Sequence, residues 1–182
     1  EGKGQEAPLQ RVQKSKDKPT EKSKNIAIEP EKYTVTFVAD NQTVARRKLF
    51  DWSKEEDKQI RYYSGTAIYK TTFSWKNKQQ KGQEVYLHLG TVYNLATVYV
   101  NGIDCGTVWT APYRANITAA LKKGTNELKI EVTNTWANAL KGADEGKAPF
   151  EGIWTNAKYR KQEDTLLPAG LLGPLWLEQN NK

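Results

Sequence analysis

Aromatic, amide and guanidinium side chains gather at predicted strand ends in the second half of this 182-residue chain. Sugar rings carry flat C–H faces that stack on aromatic rings, and their hydroxyls pair with amides and guanidinium groups. Loops and strand ends are also where binding residues concentrate. The predicted carbohydrate contacts are Trp109, Tyr113, Arg114, Asn134, Trp136, Asn138 and Trp154. The alternative is that each tryptophan only closes an end of the fold.

Residue patterns for catalysis or cofactor binding are missing from the sequence. It has one histidine and one cysteine, no glycine-rich phosphate loop and no serine-centred elbow. Glycoside hydrolysis needs two carboxylates flanking one bond, and the sequence alone does not pair them. The available acids are Asp51, Asp57, Asp104, Asp144, Glu145 and Glu151. We therefore predict no catalytic residue, no metal ligand and no cofactor, although calcium held by loop carbonyls would leave no trace in a sequence.

The charge pattern argues against nucleic acid as a partner. The net charge is +7, but residues 1–32 carry +2, residues 33–100 carry +4 and residues 101–182 carry +1, with acids interspersed throughout. A dispersed excess makes a poor phosphate-binding stripe. No apolar run approaches the roughly 18 residues that a membrane-spanning helix needs. We therefore predict neither a nucleic-acid partner nor a membrane span.

One β-hairpin is the strongest structural signal. Asn101-Gly102 suits a two-residue type I′ turn, because both central residues of that turn need positive φ. Such a loop opposes Val100 to Ile103, and then Val98 to Cys105 and Ala96 to Thr107. The predicted inward face is Ala96, Val98, Val100, Ile103 and Cys105.

Other segments alternate between apolar and polar residues in the same way, which is typical of strands with one buried face. Residues 1–32 are polar and predict a linker or a strap on the surface. Residues 33–182 predict one domain of seven or eight strands, with residues 138–161 as a long loop. The predicted fold class is all-β, an antiparallel β-sandwich.

The order of three segments resembles a known domain. They read GTVYNLATVYVNGIDCGTVWTAPYRANITAALKKGTNELKIEVTNTWAN at 90–138, RYYSGTAIYKTTF at 61–73 and LLPAGLLGPLWLE at 166–178. Together they resemble the galactose-binding-like jelly roll of bacterial glycoside hydrolases. The closest likeness is to the C-terminal domain of family 106 α-L-rhamnosidase-like enzymes. That family often carries Arg and Asp after the Val-Thr-Asn strand, where this sequence has Ala139 and Ala143.

The resemblance implies a non-catalytic accessory domain, because such enzymes carry their catalytic carboxylates on a separate barrel. It implies carbohydrate and the parent's catalytic domain as partners, and a periplasmic or extracellular location. Two alternatives remain from the sequence. One is a purely structural sandwich that packs on a catalytic domain, and the other is a small free-standing glycoside hydrolase.

Overall fold

Strands with alternating apolar residues dominate the structure. A computed structural model of the chain describes residues 24–30, 32–77, 82–149, 151–156 and 165–180. In chain order the strands are β1 (Lys24–Ala27), β2 (Tyr33–Phe37), β3 (Gln42–Arg46), β4 (Thr66–Trp75), β5 (Glu84–His88), β6 (Thr91–Tyr93), β7 (Leu95–Val100), β8 (Ile103–Val108), β9 (Arg114–Asn116), β10 (Gly124–Thr133), β11 (Gly170–Gly173) and β12 (Trp176–Asn180). The helices are a 3₁₀ turn (Trp52–Lys54), α1 (Lys58–Arg61) and α2 (Ala137–Asp144).

The strands form two main sheets that bury one face each against the other. The large sheet has six strands in the order β3-β2-β4-β10-β7-β8, and the small sheet has four in the order β1-β12-β5-β9. All their pairings are antiparallel. Tyr69 and Ile130 of the large sheet share one core with Leu87 and Leu177 of the small sheet. The predicted all-β sandwich is confirmed.

The short pair β6-β11 joins the sandwich through a close backbone approach. Gly90 has a φ of +64°, and a Cβ placed there would lie 2.2 Å from the carbonyl of Gly173. Trp52 donates its ring N–H to the Tyr69 hydroxyl at 2.7 Å, and the Leu171 amide donates to the same oxygen at 3.2 Å. This buried network fixes the closing strands against the large sheet, and burial raises the pKa of the Tyr69 phenol.

The hairpin confirms the predicted turn but not the predicted register. Asn101 and Gly102 have φ of 51° and 80°, and Val100 faces Ile103 as expected. Beyond Tyr99 the pairing shifts, so that Thr97 faces Thr107. The cause is an extra residue in β8 beside Gly106, which has a φ of +100° and donates its amide to the Asp104 carboxylate at 2.8 Å.

The shift and the edge position of β8 change the predicted inward face. Ala96, Val98 and Val100 are buried as predicted, but Ile103 is 50% exposed. The prediction for Ile103 was wrong because the six-stranded sheet is wider than the four-stranded sheet, which leaves its edge strand partly uncovered. Cys105 is partly buried and packs on the margin of the core.

The predicted loop at 138–161 begins with a helix instead. α2 is rich in alanine, with leucine and lysine, which favour helix formation. It buries Asn138, Ala139, Leu140 and Gly142 against the domain. The long-loop prediction was therefore wrong for residues 138–144, and its last part, residues 157–161, lies outside the described residues.

The predicted strap contributes an edge strand. β1 pairs with β12, and the chain then crosses to the large sheet, where the Thr71 hydroxyl donates to the Lys32 carbonyl at 2.8 Å. Residues 1–23 lie outside the described residues. The division at residue 33 between strap and domain stays a proposal.

Candidate carbohydrate-contact surface

Two of the predicted tryptophans lie at the same end of the large sheet. Thr133, the last residue of β10, pairs with Leu95 at the start of β7. On the next strand along, Val108 pairs with Ala96. Trp109 directly follows Val108, and Trp136 follows Thr133 by three residues. Since neighbouring strands are about 4.8 Å apart, the two strand ends that carry these tryptophans are about 10 Å apart.

Three tryptophans are more exposed than the other large apolar residues in the part of the chain that the structure describes. The exposed fractions are 68% for Trp109, 64% for Trp136 and 76% for Trp154, whereas Trp52 and Trp75 are 0% and 2% exposed. Trp154 lies in the segment 151–156, after α2. An indole exposed to this extent loses little solvent contact within the domain, so its apolar surface is available to another molecule.

Asn134 holds two strand ends together through its side chain. Its Oδ1 accepts from the Gly65 amide at 2.9 Å, and its Nδ2 donates to the Tyr63 carbonyl at 2.8 Å. The hydroxyls of Thr66 and Thr133 are 2.7 Å apart just beside it. The amide therefore satisfies backbone groups where β4 begins, beside the tryptophans.

Asn138 does the same for the segment that enters β11. Its side chain is buried within α2, donates Nδ2–H to the Leu167 carbonyl at 2.7 Å and accepts from the Leu167 amide at 2.8 Å. The side-chain amide of Asn138 thus bonds both backbone groups of Leu167, as a neighbouring strand would, and it anchors the segment before β11 to α2. The structure places Asn134 and Asn138 as supports for the surface that carries the exposed indoles.

Tyr113 and Arg114 lie at the edge of the sandwich where β8 of the large sheet contacts β9 of the small sheet. The Tyr113 ring packs partly buried on the core, and its carbonyl accepts from the Leu89 amide at 2.9 Å. Arg114 begins β9 and points to the outer face of the small sheet. Its guanidinium carbon is 4.7 Å from the centre of the Tyr86 ring. The β8–β9 connection thus carries Trp109 at one end and Arg114 at the other, with Tyr113 as its anchor.

A charged and aromatic network covers the outer face around Arg114. Arg114 Nη1 is 3.2 Å from Glu178 Oε2, and His88 Nε2 is 2.6 Å from the same oxygen. The His88 ring stacks on Trp176 with a centroid distance of 3.6 Å. The hydrogen bond with His88, helped by the charges of His88 and Arg114, holds the pKa of Glu178 below its usual range.

The sequence contains a single histidine, His88, but does not reveal the partners of its side chain. Trp176 faces His88 across the β12–β5 pair, and Glu178 faces Tyr86. The alternation in residues 176–180 gives the face of each side chain, but only the strand order brings β12 beside β5. This register was the missing information.

Four of the six carboxylates named as available for hydrolysis make other contacts. Asp51 caps the 3₁₀ turn and also accepts from the Ala169 amide at 3.0 Å, and Asp57 caps α1. Asp104 accepts from Gly106, and Glu145 is 2.9 Å from Lys147 Nζ. Across the described ranges, no group of three or more His, Cys, Asp or Glu residues is arranged to hold a metal ion. None of the helices there is long and apolar enough to cross a membrane.

Known proteins that are similar to this chain share its fold, and the chain matches only a small part of each of them. A putative beta-glucuronidase of Formosa agariphila is 34% identical, and the match covers 79% of this chain but 15% of that protein. The rhamnosidase structure from Novosphingobium sp. PP1Y is also 34% identical, with a TM-score of 0.80 over 96% of this chain and 16% of that one.

A more distant structure shows the fold alone. It is the FMN-binding beta-glucuronidase from Facaelibacterium prausnitzii L2-6, with 22% identity, a TM-score of 0.58 and coverage of 23% of that chain. The family model that matches residues 19–165 describes the galactose-binding-like domain of glycosyl hydrolase 2. The predicted galactose-binding-like jelly roll is confirmed. The chain therefore belongs to this family of non-catalytic accessory domains, and it spans only 15 to 16% of the length of the two enzymes that it matches at 34% identity.

Proposed function

We propose that this accessory domain contacts carbohydrate through its exposed tryptophans, as part of an α-L-rhamnosidase that degrades polysaccharide. The observation that carries the proposal is the exposure of Trp109, Trp136 and Trp154, each more than three-fifths open to solvent. Indole rings in such positions offer flat apolar faces for sugar rings. Support for the parent reaction comes from the rhamnosidase of Novosphingobium, which matches nearly the whole chain.

Support for the geometry comes from the residues beneath the indoles. Asn134 and Asn138 each make two hydrogen bonds to backbone groups, which fixes the strand end and the helix that flank Trp136. A preformed surface loses less conformational freedom on binding than a mobile one. Rigid support under exposed indoles therefore favours recognition of an extended ligand.

The test is a titration of this chain with rhamnose-containing oligosaccharides, followed by tryptophan fluorescence. We expect a saturable spectral change at up to millimolar ligand, abolished in the Trp109→Ala/Trp136→Ala double variant. Ile103→Ala is the matched control, because Ile103 is a half-exposed apolar residue at the other end of the same strand β8. If no oligosaccharide perturbs the spectrum, or if the double variant binds as well as the unaltered chain, carbohydrate contact at this surface is excluded.

A second candidate is favoured by the aliphatic residues around the same end. Val38, Leu95 and Leu167 are 49%, 36% and 48% exposed. Val38 donates its amide to Thr66 at the start of β4, Leu95 pairs with Thr133, and Leu167 is held by Asn138. Aliphatic side chains bury well against protein, so this end also fits a role as the contact with the parent's catalytic domain.

Hydrogen exchange separates the two candidates. The backbone amides of residues 134–138 and 167 should exchange more slowly in the whole enzyme than in this chain alone if the catalytic domain covers this end. Equal exchange in both, together with protection by oligosaccharide, would leave carbohydrate contact as the function of this surface.

The location proposed for the protein is the periplasm or the cell exterior. A polysaccharide from outside the cell is too large to diffuse across the cytoplasmic membrane, so an enzyme that degrades it must reach it outside the cytoplasm. Cell fractionation with an antibody against this chain tests the proposal, and recovery in the cytoplasmic fraction would overturn it.

A further inference from the structure

A cleft of about 1140 Å³ lies away from the tryptophan surface. It is lined by the segment that crosses from β1 to β2 and by residues of β4, β10 and β7, down to Gly102 at the hairpin turn. Its volume is sufficient for a short oligosaccharide. The tryptophan surface is at the Thr66 and Thr133 ends of β4 and β10, whereas this cleft extends toward their Ser74 and Thr125 ends.

Two lysines face each other directly in this cleft. Lys70 of β4 and Lys129 of β10 are cross-strand partners in the register of the large sheet, and both line the cleft. Like charges in directly opposed positions destabilise a sheet. The fold therefore places positive charge here at some cost to its own stability, and an anionic ligand would offset that cost.

Lys129 is held in position by its neighbours. Its Nζ is 2.9 Å from Glu131 Oε1 and 3.7 Å from the centre of the Tyr99 ring. The ammonium group thus covers the aromatic face of Tyr99, which leaves this ring unavailable for stacking. Its two neighbours fix the direction of the ammonium group before any ligand arrives.

Lys70 has no such neighbour. Within the described part of the chain its side chain makes no hydrogen bond and no ion pair, and it is exposed. It has Thr34 on one side and Lys129 on the other, and both line the cleft with it. An unpaired ammonium beside an oriented one is suited to a single anionic group placed between them.

The remaining charges narrow the class of ligand. Lys32 adds a third cation to the lining, while Glu29 and Glu127 add two carboxylates. The carboxylates would repel a uniform polyanion but can accept hydrogen bonds from hydroxyl groups. A ligand that carries both hydroxyls and isolated negative charges matches this arrangement. We propose that the cleft binds an acidic oligosaccharide, with the anionic group of one sugar, a carboxylate or a sulfate, between Lys70 and Lys129.

The test is isothermal titration of this chain with a short oligogalacturonate, with its neutral methyl ester and with a sulfated galactan oligosaccharide. We expect one or both acidic oligosaccharides to bind and the ester to bind much more weakly. Lys70→Gln should weaken binding of the acidic form by up to about fivefold, since a solvent-accessible charge pair contributes up to about 1 kcal/mol. Affinity should also fall as salt is raised.

Lys58→Gln is the matched control, because it removes the same charge from an exposed lysine on α1 that does not line the cleft. It should bind as the unaltered chain does. Three results would overturn the inference. The first is no binding of either acidic oligosaccharide, and the second is equal affinity for the acidic oligosaccharide and its methyl ester. The third is that an oligothymidylate, a polyanion without free sugar hydroxyls along its chain, binds as tightly as the acidic oligosaccharide. A Lys70→Gln variant that binds normally would also overturn it.

The inference goes beyond the proposed function, since it concerns a second surface. The Trp109→Ala/Trp136→Ala variant should leave binding of the acidic oligosaccharide unchanged, and Lys70→Gln should leave the rhamnose-dependent fluorescence change intact. Failure of either proposal is therefore visible without affecting the other.

Discussion

The outer faces of the two sheets arrange their charges in opposite ways. On the small sheet, His88 and Arg114 both converge on the carboxylate of Glu178. On the large sheet, Lys70 directly faces Lys129. Lys129 pairs with Glu131, but Lys70 makes no ion pair with any residue that the structure describes. Opposite charges in contact stabilise the domain and leave little unpaired charge for a ligand. Like charges that face each other repel, and this repulsion is relieved only when an anionic ligand binds between them.

Neutral side chains bridge the strands of the large sheet on its outer face. Three pairs of threonine hydroxyls bridge neighbouring strands at 2.7 to 3.0 Å, namely Thr36 with Thr43, Thr66 with Thr133 and Thr97 with Thr107. Neutral cross-strand pairs of this kind stabilise a sheet modestly. Lys70 can therefore be changed with little loss of stability, whereas Glu178 on the other face cannot.

The largest effect should come from removing that carboxylate. Glu178→Ala leaves His88 and Arg114 without their shared acceptor on a face where the Glu178 side chain is only 17% exposed. We expect the free energy of unfolding in urea to fall by about 2 kcal/mol, the range for hydrogen bonds to charged groups. Glu127→Ala is the control on the other outer face, with an expected change within about 0.5 kcal/mol. Equal losses of unfolding free energy in the two variants would contradict the view that charges stabilise the outer face of the small sheet more than that of the large sheet.

Lowering the pH should also weaken the contacts of Glu178, with a smaller effect on the free energy of unfolding than Glu178→Ala has. The pKa of Glu178 is lower in the folded protein than in the unfolded chain, because of the hydrogen bond with His88. The unfolded state then binds protons more readily, so this group adds stability above its unfolded pKa and loses that contribution as the pH falls through the folded pKa. Between about pH 6 and about pH 3, unaltered protein should lose more stability than Glu178→Gln. Parallel curves would show that His88 and Arg114 do not favour the ionised form.

Reversing one charge on the large sheet should have a smaller effect of the opposite sign. Lys70→Glu places a carboxylate opposite Lys129 and replaces a repulsive pair with an attractive one. We expect a gain of about 0.5 kcal/mol in the free energy of unfolding, together with loss of acidic oligosaccharide binding. Lys76→Glu makes the same charge change just beyond the end of β4 and should leave both quantities nearly unchanged. A loss of stability in Lys70→Glu would contradict the view that Lys129 opposes Lys70.

The exposed tryptophans should have the smallest effect on stability. Trp109→Ala and Trp136→Ala remove side chains that are 68% and 64% exposed, so each should change the free energy of unfolding by no more than about 0.5 kcal/mol. Trp75→Ala, at 2% exposed, should cost about 3 to 5 kcal/mol by comparison. A large loss of unfolding free energy in Trp109→Ala or Trp136→Ala would mean that the indole packs against the end of the sandwich and is not available to a ligand.

The sequence predicts these elements unevenly because its patterns are local. The Asn101-Gly102 turn could be predicted, since positive φ at two successive residues restricts the residue types. The register beyond Tyr99 could not, because one extra residue beside Gly106 shifts it without disturbing the residue pattern. α2 escaped prediction because eight residues give too short a pattern to distinguish a helix from a loop.

The candidate sites show the same limit. Exposure of Trp109, Trp136 and Trp154 could be suspected from their positions at strand ends or in a loop. The backbone contacts of Asn134 and Asn138 could not, because they depend on residues 65 and 167, far away in the chain. The Lys70–Lys129 opposition and the Glu178 network both arise from strand order. Which lysine meets another lysine, and which arginine meets a glutamate, is decided by pairing alone.

The pairing of β1 with β12 has a topological consequence. Lys24, at the start of the first strand, is directly opposite Gln179 near the end of the last one. Their Cα atoms are therefore about 5 Å apart, the usual separation of antiparallel partners. The start of the first strand and the end of the last strand that the structure describes are thus neighbours, which is the geometry that lets one domain be inserted into a surface loop of another without spreading the ends of that loop.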